Sequence, residues 1–124
     1  MSTDKKLPEL QGTSYADLRR TQLAARLPDS LSELAGPAHG VVEPPLHVVW
    51  SGLRRFDLDH RGERLGLYQV LLNEGRAEDL IRFLNPDVLV ADWPLLRRLL
   101  GKHVRHVWES TFMELGAGTD SAAA

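Results

Sequence analysis

A 124-residue chain without a single cysteine can form neither a disulfide framework nor a thiolate metal centre, and it offers no cysteine nucleophile. With 43% hydrophobic and 26% charged residues it sits in the ordinary globular range, away from compositions that stay unfolded. Its formal charge of −2 and pI near 6.2 lack the basic excess usual in free-standing nucleic-acid binders, so non-specific binding along a nucleic acid is disfavoured.

The chain reads as flexible ends, 1–13 and 116–124, around one helical domain over 14–115. No stretch is apolar enough for a signal peptide or membrane span, which predicts a cytoplasmic protein. Ser14, with Asp17 three residues on, resembles a capping box. The stripe Tyr15, Leu18, Leu23 and Leu27 then predicts a first helix over 15–27. Pro28 at an N1-like position, with Leu31 and Leu34 behind it, predicts a short second helix ending at Gly36-Pro37. Residues 39–45 should be extended, because Val41-Val42 and the pair Pro44-Pro45 oppose a helix interior. A short helix with Pro45 as first residue is expected over Leu46–Trp50.

Leu65, Tyr68, Leu71 and Leu72 put one apolar face on a helix that begins near His60 and closes at Gly75. Arg76 to Asp79 opens another, with Leu80, Ile81, Phe83 and Leu84 pointing inward. Asn85-Pro86 is a cap followed by proline at N1, starting a short helix through Val90. Asp92, with Pro94 two residues on, should start a long last helix over 93–115. On it Trp93, Leu96, Leu100, Val104, Val107 and Thr111 form an apolar seam, and Arg98, Lys102, Arg105 and Glu109 a charged stripe. The fold class expected is all-α, a compact single-domain bundle of about five to seven helices with one short extended segment near 39–45.

Candidate chemistry is sparse. His103 and His106 have a spacing that can place two imidazoles beside one metal ion, but Glu109 is the only nearby third ligand and equally suits a surface pair with Arg105. Asp57 and Asp59 lack the Gly-Ser loop and mixed sheet of a nucleotidyltransferase, so capping the helix near His60 or pairing with Arg61 and Arg64 is the expected role. No phosphate loop and no serine elbow occurs, so no cofactor, no metal and no catalytic set is assigned. The tryptophans, Trp50, Trp93 and Trp108, should anchor the core, each needing an acceptor for its indole N–H. Trp108, beside the basic stripe, also suits an interface hot spot.

Two resemblances follow from these residues. Arg98, four residues and His103 match the loosest Arg-x(4–6)-His pattern of HEPN-type ribonucleases, which implies an arginine that stabilises a phosphorane and a histidine that moves a proton. Leu99 and Gly101 depart from that pattern. Separately, the run Tyr15 to Pro28, the segment Pro45 to Leu53, and Asp92 to Arg97 with Val107-Trp108-Glu109 together resemble a small protein family of high-GC bacteria. Its members are often encoded beside an abortive-infection type nucleotidyltransferase toxin, which implies an antitoxin or regulatory partner. The leading expectation is therefore a non-catalytic protein-binding module that uses Arg98, Lys102, Arg105 and Trp108. A DNA-binding regulator, with Arg19-Arg20 or Arg97-Arg98 on phosphates, and the HEPN-like ribonuclease are the alternatives.

Overall fold

The computed structural model describes residues 14–49, 52 and 54–116. Trp50 and the ends expected to be flexible, apart from Gly116, lie outside them. The described residues form five α-helices, one 3₁₀ turn and one two-stranded ladder, a mostly helical single core.

Helix α1 spans Tyr15–Ala24 and opens on the predicted capping box: the Ser14 hydroxyl accepts from Asp17 N–H, and Asp17 accepts from Ser14 N–H. It ends earlier than its predicted limit at Leu27. Pro28 bars Leu27 from helical geometry, and Arg26 turns away to donate to the carbonyls of Gly75, at 2.6 Å, and Asn73. The predicted apolar stripe has the wrong phase. Tyr15 is 76% exposed and Leu18 51%, while the inward face runs through Ala16, Arg19, Arg20 and Leu23.

The predicted second helix is reduced to a 3₁₀ turn over Leu31–Glu33 with Leu31 and Leu34 buried. The chain is committed there to a different job. Ala35 and Gly36 donate to the carbonyls of Ile81 and Leu84, which fall free at a helix end. A Cβ on Gly36 would lie 2.3 Å from the Phe83 backbone, so only glycine permits this approach. Strand β1, Val41–Val42, pairs antiparallel with β2, Phe56–Asp57, giving the extended segment a partner. No helix forms at 46–49. Val48 and Val49 both donate to the Pro45 carbonyl in one turn, and the His47 imidazole is held instead by Asp79 at 2.6 Å.

Helix α2, Arg61–Glu74, is capped by His60, whose Nδ1 accepts from Glu63 N–H. The carboxylates expected to do this are occupied elsewhere: Asp57 accepts from Asp59 N–H, and Asp59 takes His39 and Gly40 N–H. Helix α3 covers Ala77–Phe83, with Asp79 accepting from Arg76 N–H. Helix α4, Pro86–Leu99, has the predicted Asn85 cap, whose Oδ1 accepts from Asp87 and Val88 N–H.

The boundary expected at Asp92 does not exist. Asp92 is engaged by Arg64 at 2.7 and 3.2 Å and caps nothing, so α4 continues through Pro94 to Leu99. Val90, whose carbonyl loses its donor, lies with Pro94 on the exposed side, where water can serve it. The break falls instead at Leu100 and Gly101, both extended, and α5 covers Lys102–Thr111. One long helix is thus two.

Tyr68 ties α2 to the start of α4, its hydroxyl accepting from Asn85 N–H at 3.0 Å. Burial pushes its phenol up to about 12. Tyr68→Phe leaves that buried N–H without an acceptor and should cost about 1–3 kcal/mol in urea denaturation with an unchanged m-value; a loss below about 0.5 kcal/mol would show that the bond does not matter.

Candidate functional site

The residues singled out in the sequence gather on α4 and α5, so the way these helices meet decides what each can do. Glu109 on α5 reaches across to α4. Its carboxylate accepts from the Trp93 indole N–H at 2.8 Å and from Arg97 Nε at 2.6 Å. This supplies the acceptor that a buried tryptophan needs. The Glu109 carboxylate in turn holds the Arg97 guanidinium above its ordinary value. Glu109 thus bridges the two helices, and among the described residues it completes no metal-holding group with the two histidines.

Of the four residues expected to touch a partner, two lie open. Arg98 and Lys102 are exposed, on opposite sides of the Gly101 break. Arg105 is half-buried and directs Nη1 at the Arg97 carbonyl, 3.5 Å away, in the last turn of α4. Trp108 is 1% exposed and packs at 5.3 Å between ring centroids against Phe112. It is a core residue, as expected of a tryptophan anchor, and offers almost no surface to a partner. Val90, Pro94 and Arg98, four residues apart, form an outward face on α4 whose spacing sequence reasoning had divided between two helices. Leu99, 46% exposed, lies about half a turn round the helix from Val90.

His103 faces the other way. Helix α1 packs on α5, and the charges acting on the His103 imidazole are Arg20, Lys102, Arg19 and His106, all cationic or able to become so. Desolvation and these neighbours, in that order, hold its pKa below the ordinary histidine value. His103 Nδ1 and Arg20 Nε are both closed off from solvent and make no hydrogen bond among the described residues. Arg98 and His103 thus stand on different helices, with the Gly101 break between them. Among the described residues no group of three or more His, Asp or Glu could hold a metal ion.

A cleft of about 400 Å³ lies apart from this region, lined by His39, Asp59, Arg64 and Asp92 with apolar walls from Leu58 and Val88. Its polar groups mostly satisfy one another. His39 Nδ1 meets Asp59 at 2.7 Å, and Arg64 pairs with Asp92 while also donating to the Leu58 carbonyl. The bond from His39 and that from Gly40 N–H lower the Asp59 pKa. These contacts fasten the β1–β2 ladder to α2 and α4. Sequence reading missed them because His39 and Asp59 are 20 positions apart and Arg64 and Asp92 28.

No protein-family model, curated protein or solved structure matches the chain. No helix among the described residues is long and apolar enough to cross a membrane.

Two outcomes check this geometry. Glu109→Ala, which leaves a buried indole N–H and a guanidinium without their acceptor, should destabilise by about 2 kcal/mol in chemical denaturation, whereas Glu109→Gln retains an acceptor and should cost less. Equal losses would contradict the bridge. Because the folded state disfavours protonated His103, its contribution to stability is complete above the unfolded value near 6.5 and is lost as pH falls through that value toward the depressed one. Thermal melts from pH 7.5 to 5 should therefore fall more steeply for the native chain than for His103→Gln; superimposable pH profiles would refute it.

Proposed function

We propose that this chain is a non-catalytic protein-binding module, the antitoxin or regulatory partner of a nucleotidyltransferase-type toxin. The observation that carries the reading is the outward face of α4. There Val90 and Pro94 leave apolar surface open beside Arg98, and Lys102 follows directly after the break. A helix face that turns apolar side chains to solvent at 90 and 94 suits a partner's groove, and the cations beside it favour an acidic rim. The family resemblance supplies the class of partner.

Co-expression with an adjacently encoded nucleotidyltransferase should yield a complex that survives purification and suppresses the toxin. Val90→Asp combined with Arg98→Glu should weaken the complex at least tenfold, about 1.4 kcal/mol, with the melting temperature little changed. Two results would remove the proposal: no association, or a DNA mobility shift at low salt that depends on Arg98 and Lys102 in place of a protein complex.

A further inference from the structure

We propose that the seam between α1 and α5 is a binding site for a phosphate-type oxyanion, held by Arg19, Arg20, Lys102, His103 and His106. Two helices far apart in sequence bring these groups together. Arg19 and Arg20 come from the inward face of α1, and the other three from the first turn and a half of α5. Among the described residues none of the five is in an ion pair. A protein of net charge −2 thus concentrates three permanent positive charges and two imidazoles in one place, with no carboxylate paired to them among the described residues.

That arrangement is costly unless something answers it. Like charges in contact repel, and cations in the first turn of a helix oppose its dipole. Among the described residues Arg20 Nε and His103 Nδ1 are shut off from solvent without hydrogen bonds, which is unfavourable for both. Buried polar groups in native proteins are ordinarily paired with protein, water or an ion.

The chemistry selects the ligand class. Arg20 is half-buried with its Nε unpaired among the described residues, and a guanidinium can donate from Nε and an Nη together to one oxygen pair. Lys102 and His106 are exposed and close the open side. A tetrahedral dianion offers enough oxygens and charge for three permanent cations, which a single carboxylate does not. The site shares only Lys102 with the proposed partner face, so Arg20→Gln tests it separately from that reading.

The test is a histidine NMR titration of the full chain with inorganic phosphate, against chloride at equal ionic strength. Phosphate should shift the His103 and His106 ring signals saturably and raise the His103 pKa by about one unit, leaving His47 and His60 in place. Arg20→Gln should weaken binding at least tenfold, and Lys102→Gln, an exposed change that leaves the core alone, several-fold. A parallel titration with adenosine 5′-monophosphate identifies the source: tighter binding than phosphate assigns the anion to a nucleotide, equal binding to the free ion. The proposal fails if chloride produces the same shifts, if all the histidines move together, or if folded Arg20→Gln and Lys102→Gln titrate like the native chain.

Discussion

The contact of the Glu109 carboxylate with the Trp93 indole and the Arg97 guanidinium sets the relation of the last two helices, and most of the surface follows from it. Without an acceptor on α5, burial of the Trp93 N–H would carry an uncompensated desolvation cost. With it, α4 and α5 are bridged across the extended Leu100-Gly101 link, and Trp93, Leu96, Leu100, Val104, Val107 and Trp108 enter one core. The link also turns the two helices relative to each other. Arg98 and His103 therefore stand on different helices, Arg98 exposed to solvent and His103 on the side of α1.

That division gives a mildly acidic chain two surfaces of different character. The α4 face mixes apolar and basic side chains in the manner of a helix offered to a groove. The α1–α5 seam gathers basic side chains, of which Arg19, Arg20 and His103 are partly buried, and partial burial strengthens the effect of a charge on an anion. The β1–β2 corner differs from both. There His39 with Asp59 and Arg64 with Asp92 answer each other, so charge that looks chemically suggestive in the sequence is spent on holding a ladder in place.

Local signals were read well from the sequence. The helical class, the Ser14 and Asn85 caps, the helix closing at Gly75 and the extended stretch around Val41 all depend on neighbours within a few residues, where turn chemistry and periodicity act. What failed was decided at a distance. Asp92 looks like a cap until Arg64, 28 residues earlier, claims it, and the helix boundary moves to Gly101 as a result. Tyr15 and Leu18 look like a buried stripe because leucine and tyrosine outrank arginine in any apolar pattern, yet Ala16 and Leu23, seven apart, mark the face that packs. The proposed partner and anion surfaces were legible only as residue types. Trp108 suits both a core anchor and an interface from its neighbours in sequence, and its packing on Phe112 decides for the core; nothing local brings Arg20 to His103.

The claim on which both proposed surfaces rest is that residues 86–111 form two helices clasped by Glu109. Backbone carbon chemical shifts over this region, together with the exchange rate of the Trp93 indole proton, test it directly. Two helical runs separated at Leu100 and Gly101, with a slowly exchanging indole, are predicted. An unbroken helical run through Gly101, or an indole that exchanges as freely as in an unfolded peptide, would contradict it.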